Sequence, residues 1–240
     1  MSNHITKAYD EDLTHLKTML AQMGGLVEQQ LDQAIDALSR RDTALADRVI
    51  QHDEKVDVLE RQIEERAILT IAKRQPMARD LREIMVAIRV SSDLERIGDL
   101  AKNTAKRTHA MSESLPRKLM SGVTRMGRLA QEELKNILDA YARSDADKAL
   151  DVWRADEDLD ALYNSIFREL LTYMMEDPRN ISLCTHLLFG AKNMERIGDH
   201  ATNIAENIHY LVQGKALGES RPKKDVTSSI RFEGPEPSDD

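Results

Sequence analysis

Apolar residues recur at intervals of three or four along almost the whole chain, and this is the period of an α-helix. The first such run carries Leu13, Leu16, Leu20, Met23, Val27, Leu31, Ile35 and Leu38. The composition agrees with this pattern, because strands favour aromatic side chains and these make up only 4% of the residues. We therefore predict an all-α fold.

Breaks in the apolar spacing predict six long helices, at about 6–38, 42–75, 77–111, 116–142, 144–176 and 180–212. Asp42 is expected to cap the second helix, and either Ser144 or Asp145 the fifth, because their side chains accept hydrogen bonds from free backbone N–H groups. Proline residues mark the turns at 76, 116 and 178. Since all connections are short, neighbouring helices should pack antiparallel.

One segment of the sequence occurs twice: DLERIGDLAKNTA begins at Asp93 and NMERIGDHATNIA at Asn193, and eight of thirteen positions are identical. Gly98 and Gly198 inside the motif leave room either for close helix packing or for a bound group or partner. This repeat predicts two tandem three-helix bundles. The expected bounds are residues 1–113, residues 114–213, and a disordered tail at 214–240.

Each predicted bundle carries two pairs of carboxylates four residues apart, so both members of a pair face the same way on a helix. The residues are Asp53, Asp57, Glu95 and Asp99 in the first bundle, and Asp156, Asp160, Glu195 and Asp199 in the second. Asn103 and Asn203 continue the same faces and are possible supporting ligands.

Two interpretations of these pairs stay open. They could form a solvated face, on which Arg96 and Arg196 offset the repulsion. Alternatively, antiparallel helices could bring two pairs together into a cation site, since clustered oxygen atoms suit Mg²⁺, Mn²⁺, Ca²⁺ or oxidised iron. The spacing does not identify the metal.

Several classes of function are disfavoured. A net charge of −8 gives no general basic surface for nucleic acid, and one cysteine cannot form an internal disulfide or a Cys-rich zinc site. Neither a signal peptide nor a membrane span is visible, so a cytoplasmic location is expected. Glu-x-x-His occurs once, at Glu206 and His209, outside the repeated acidic faces. A ferritin-like di-iron enzyme needs two such motifs, and we predict no catalytic residues.

Two further segments, at 68–81 and 170–180, occupy matching helix ends in the two repeats. The first is basic, with Lys73, Arg74 and Arg79, whereas the second is acidic at its turn. Each could be an ordinary solvated helix end, and the basic one could instead be a docking surface for an acidic partner.

With these motifs, the sequence resembles the PhoU family of accessory regulators of high-affinity phosphate transport. The resemblance covers about residues 5–213 and rests on AKRQPMARDLR, DLERIGD, LLTYMMED and MERIGDHATNIAE. It implies a non-enzymatic cytoplasmic regulator that represses the phosphate-starvation response when phosphate is plentiful. The implied partners are the sensor histidine kinase of the phosphate regulon and the ATPase subunit of the phosphate ABC transporter. We also expect a homodimer, with only peripheral contact to membrane complexes.

The resemblance further implies metal ions or a multinuclear cluster of iron, zinc, manganese or magnesium on the eight carboxylates. Asp93 of the first repeat is replaced by Asn193 in the second, so metal occupancy could differ between the bundles. Two alternatives to the regulator remain: a carboxylate-rich metal store or metalloenzyme, and a plain coiled-coil scaffold.

Overall fold

Helices make up nearly all of the described chain. The structure, a computed structural model, describes residues 2–111 and 117–218, with side chains at 9–111 and 119–218. No strand occurs in these ranges, which confirms the all-α prediction. The helices are α1 (Ser2–Arg40), α2 (Thr43–His52), α3 (Glu54–Arg74), α4 (Arg79–Arg107), α5 (Arg117–Arg143), α6 (Ala146–Glu176) and α7 (Ile181–Gln213).

The second predicted helix contains a local irregularity, since α2 and α3 meet at Asp53. This residue keeps helical backbone angles, with φ −56° and ψ −38°. Its carbonyl accepts from the N–H of Val56 at 2.9 Å as well as from that of Asp57 at 3.3 Å. The helical direction therefore continues through Asp53, and the described residues form six long helical stretches, as predicted.

The same capped turn precedes α2 and α6. Asp42 accepts a hydrogen bond from the N–H of Leu45 at 2.8 Å, and Asp145 accepts one from Lys148 at 3.0 Å. Of the two candidates for the second cap, the structure uses Asp145. The residue before each cap has a positive φ, 57° at Arg41 and 52° at Ser144.

Two predictions fall partly outside the described residues. The turn at 112–116, including the proline expected to start the fourth helix, is not among them, and neither are residues 219–240 of the predicted tail. Helix α7 ends at Gln213, just before the first residue of the predicted tail. Gly214 adopts a φ of 70°, and its N–H closes the helix by donating to the carbonyl of Tyr210 at 2.9 Å.

The buried apolar side chains form one cluster that extends through both repeats. The helices that end the repeats, α4 and α7, lie at its centre: α4 packs on α1, α2, α3 and α7, and α7 packs on α4, α5 and α6. Among the described helices, none has both the length and the apolar character needed to cross a lipid bilayer.

Helices α4 and α7 run antiparallel along a shared seam. Near the middle of α4, Asp93 Oδ1 lies 2.9 Å from His200 Nδ1, whereas Asn193 of α7 donates to Thr104 Oγ1 at 3.2 Å. The equivalent residues of the two repeats thus each reach across to a later residue on the other helix. This reciprocity gives the seam an approximate two-fold symmetry.

Candidate functional site

The first carboxylate cluster lies where α1, α3 and α4 meet. It contains the four acidic residues that the sequence assigned to the first bundle, Asp53, Asp57, Glu95 and Asp99. Asp53 is buried, and the other three are partly buried. The structure therefore brings these two predicted pairs together at the interface of neighbouring helices.

Gln30 of α1 holds Asp53 in place. Its Nε2 donates to Asp53 Oδ1 at 2.8 Å and to the carbonyl oxygen of Gly98 at 3.2 Å. Both residues are buried, so this amide satisfies polar atoms of two other helices at once. Gln30 was not among the residues that the sequence singled out.

Lys102 neutralises part of the first cluster. Its Nζ contacts Asp53 Oδ2 and lies 2.6 Å from Asp99 Oδ1, so one ammonium joins carboxylates of two helices. Burial lowers the pKa of Lys102, but hydrogen bonds to Asp53 and Asp99 outweigh that effect and raise it above its usual range. Lys102 is therefore charged at neutral pH.

The remaining acids of the first cluster influence one another through space. The pKa of Asp57 is raised, first by burial and then by the charge of Asp53. The pKa of Glu95 is also raised, first by burial and then by Asp99, with a smaller contribution from Glu60. Glu60, which the sequence analysis did not name, thus belongs to the same electrostatic environment. Repulsion within the cluster remains even with Lys102 present.

The second carboxylate cluster lies where α5, α6 and α7 meet, and it is the more deeply buried of the two. Its members are the acidic residues assigned to the second bundle, Asp156, Asp160, Glu195 and Asp199. The first three of these are buried, with exposed fractions of 1%, 2% and 3%.

Glu133 of α5 lies beside this cluster and was missed from the sequence. A β-carbon added to Gly198 would lie 2.5 Å from Asp156 Oδ1 and 3.1 Å from Glu133 Oε2. The absence of that carbon lets both carboxylates approach the backbone of α7. On the exposed side, Lys192 Nζ lies 2.8 Å from Glu195 Oε1 and 4.9 Å from the centre of the Tyr163 ring.

A signal for Gln30 and Glu133 was present in the sequence. The offset of 103 residues that aligns Asp53 with Asp156 also aligns Gln30 with Glu133. The flanking segments, MGGLVEQQL from Met23 and MGRLAQEEL from Met126, match at their methionine, first glycine and leucine positions. The repeat therefore includes the first helix of each bundle.

The possible supporting amides have different surroundings. Asn203 is exposed, and its Nδ2 donates to Asp93 Oδ1 at 3.3 Å across the α4–α7 seam. Asn103 is partly buried on α4. Asp93 and Asn193, which differ between the repeats, also lie on this seam. Asp93 contacts His200, and Asn193 contacts Thr104.

The donor chemistry of both clusters is carboxylate oxygen, as expected for a hard cation. In the described part of the chain, no three His, Cys, Asp or Glu side chains are arranged as ligands of one metal ion. The predicted metal sites therefore stay predictions. The two clusters differ in the charges beside their predicted metal ligands. The ammonium of Lys102 joins two carboxylates of the first cluster, whereas the second has an additional carboxylate, that of Glu133.

These features define a class: an all-helical tandem-repeat protein with a carboxylate cluster between the helices of each repeat. The family model described as PhoU domain matches residues 20–108 and again 123–208. The chain belongs to the PhoU family.

Related proteins match over nearly their full lengths. The phosphate-specific transport system accessory protein PhoU homolog of Rhizobium meliloti is 56% identical over 95% of this chain and 96% of its own. The homolog from Caulobacter vibrioides is 52% identical over 95% of this chain and 100% of its own.

Solved structures share the fold. The crystal structure of PhoU from Pseudomonas aeruginosa is 41% identical, covers 86% of this chain and 100% of that chain, and gives a TM-score of 0.83. The phosphate transport system regulatory protein PhoU from Streptococcus pneumoniae is 28% identical, covers 88% and 100%, and gives a TM-score of 0.82.

Proposed function

We propose that the chain is an accessory protein of a phosphate transport system. In this role it connects the ATPase subunit of the phosphate ABC transporter with the sensor histidine kinase of the phosphate regulon, and it represses the starvation response when phosphate is plentiful. The proposal places the chain in the cytoplasm, as a homodimer without catalytic activity of its own. One observation carries it: relatives more than half identical over nearly the whole chain are named as phosphate-specific transport system accessory proteins.

An exposed apolar surface at one end of the first repeat supports action through protein contacts. This α3–α4 surface consists of Ile68, Leu69, Met77, Leu81 and Met85, and Met77 is 81% exposed. Exposed apolar side chains grouped around one turn are typical of interaction sites.

The α3–α4 surface is also flanked by positive charge. The exposed residues Lys73 and Arg79 lie on either side of its turn. The corresponding turn of the second repeat carries Glu176 and Asp177, and its arginine, Arg179, pairs with Asp177 at 2.8 Å. We assign the α3–α4 surface to an acidic face of the ATPase subunit, because its flanking positive charges favour an acidic partner and the relatives are accessory proteins of a phosphate transport system.

The regulatory role is tested by deleting the gene for this chain and growing the strain in ample phosphate. A reporter for a phosphate-starvation gene should switch on in the deletion strain and fall silent again when the gene is restored. A reporter that stays silent after deletion would overturn the proposed repression.

The docking surface is tested in vitro with the purified ATPase subunit. Met77→Glu combined with Leu81→Glu should weaken binding at least tenfold, because both changes place negative charge on the proposed contact. Val58→Glu provides a matched control, since Val58 is exposed near the start of α3 and away from the turn. Unchanged binding by the double variant would refute this surface, and loss of binding to the sensor kinase instead would reassign it.

The proposal extends to a cation at the second cluster. Asp156 and Asp160 on α6, Glu195 and Asp199 on α7, and Glu133 on α5 offer only oxygen donors, and Gly198 lets Asp156 and Glu133 approach the backbone of α7. A bound cation would offset the mutual repulsion of these carboxylates. In this proposal the chain contributes donors from three helices, so that binding would couple α5, α6 and α7.

A further inference from the structure

Lys102 lies between carboxylates of the first cluster that come from two helical segments. It lies on α4, three residues after Asp99, and its side chain is 21% exposed. The ammonium contacts Asp53 at the α2–α3 junction and Asp99 on its own helix. One positive group thus connects the carboxylates that the sequence assigned as metal ligands.

The donor groups around Asp53 leave little for a metal to bind. Asp53 Oδ2 accepts from Lys102, while Asp53 Oδ1 accepts from Gln30 Nε2 at 2.8 Å. Each carboxylate oxygen therefore already has a nitrogen donor. A metal ion at this position would have to displace the ammonium and rotate the buried amide.

The second repeat lacks both of these donors at equivalent positions. The alignment of the ERIGD motifs places Thr202 where the first repeat has Lys102, and the 103-residue offset places Glu133 where it has Gln30. Thr202 Oγ1 donates to the backbone carbonyl of Asp199 at 2.8 Å and adds no positive charge. At these two positions the second repeat has one positive charge fewer and one carboxylate more than the first, while Lys192 contacts Glu195 from the exposed side.

We propose that Lys102 is the built-in cation of the first cluster, and that this cluster consequently binds no metal ion. The chain is then asymmetric, because an ammonium links carboxylates from two helices in the first repeat, and Thr202 stands at the equivalent position of the second. This inference goes beyond the regulatory role and does not depend on which partner the chain contacts.

The test uses the purified full-length chain, stripped of metal with a chelator and titrated with Mn²⁺ by calorimetry. Lys102→Thr gives the first repeat the residue of the second and should gain at least one Mn²⁺ equivalent over wild type. Adding Asp53→Asn should abolish that gain, because it removes a ligand of the new site. Lys106, which is exposed one helical turn after Lys102, provides a matched control. Lys106→Thr should bind the same number of Mn²⁺ ions as wild type.

The number of Mn²⁺ ions bound by each variant is compared with the number bound by wild type. The test is therefore valid whether or not the second cluster binds Mn²⁺. Circular dichroism checks that each variant is folded, and Lys102→Gln, which keeps a longer polar side chain, replaces Lys102→Thr if that variant unfolds. No gain of Mn²⁺ in folded Lys102 variants would overturn the proposal. It would also fail if Asp53→Asn alone reduced the Mn²⁺ bound by the wild-type chain. A starvation reporter that stays silent after deletion of the gene would count against the proposed regulatory role. It would not affect the Mn²⁺ result.

Discussion

The carboxylate of Asp156 lies against the backbone of Gly198 so closely that an added β-carbon would stand 2.5 Å from Asp156 Oδ1. The equivalent pair in the first repeat is looser, because a β-carbon on Gly98 would lie 3.7 Å from Asp53 Oδ1. The same motif therefore needs its glycine for space in one repeat only.

Gly198→Ala should destabilise the protein, whereas Gly98→Ala should be neutral or slightly stabilising. The new methyl group of the first variant would also meet Leu159 Cδ2 at 2.5 Å, and overpacking of a core typically costs about 1–3 kcal/mol. At Gly98 the nearest atoms are at 3.4 Å, and alanine improves helix propensity by up to about 1 kcal/mol. Urea denaturation measures the free energy of unfolding of both variants. Equal changes in this free energy would contradict the difference in packing around the two glycines.

Asp145→Ala should lower the free energy of unfolding by about 1 kcal/mol, because it removes the hydrogen bond that caps α6. Asp147→Ala is the matched control. That residue is an exposed acid in the first turn of the same helix and stabilises it only through the helix dipole, by roughly 0.3–1 kcal/mol. Thermal denaturation compares the two. A larger loss for Asp147→Ala would argue against the cap.

The thiol of Cys184 should resist Ellman's reagent in the folded chain and react at once in guanidinium chloride. The side chain is 1% exposed, and burial raises the pKa of the thiol, so less reactive thiolate is present at pH 8 than in the unfolded chain. Ser182→Cys in a Cys184→Ala background should react quickly, because Ser182 is exposed on the same helix. Rapid labelling of native Cys184 would show that this end of α7 opens readily.

Mn²⁺ should raise the melting temperature of the metal-free chain by several degrees, and Asp156→Asn with Asp160→Asn should remove that increase. Binding at a hundredfold excess over Kd contributes roughly 2.7 kcal/mol. The exposed neighbour Asp158 supplies the control, since Asp158→Asn should keep the response. If the double variant still responds, the second cluster is not the site.

Local sequence signals predicted the helices and their ends well. The cap at Asp42 and the turn at Pro178 each depend on residues within a few positions of one another, and the structure places a helix start or a turn at both. The spacing of the apolar residues predicted the helices for the same reason, because the backbone hydrogen bonds of a helix join residues only four positions apart.

The surroundings of the acidic pairs were harder to predict, because they depend on residues distant in the chain. Lys102 lies inside the first repeated segment, yet its partner Asp53 is 49 residues away. Gln30 and Glu133 occupy equivalent positions on the first helix of each repeat, but only the packing of that helix brings them to the clusters. The carboxylate pattern named the acidic pairs, whose role as metal ligands stays a prediction, and it did not reveal how their charges are balanced.

The approximate two-fold symmetry of the α4–α7 seam suggests how a protein of this kind could be built from two half-length copies. An isologous contact is one in which the same surface patch meets itself, as in a symmetric dimer. Here Asp93 and Asn193 hold equivalent places in that contact. A chain of half this length would have the surface needed to pair with a second copy of itself. Within one chain, each half can carry its own residue at an equivalent position, as Asp93 and Asn193 do, whereas a symmetric dimer carries every substitution twice.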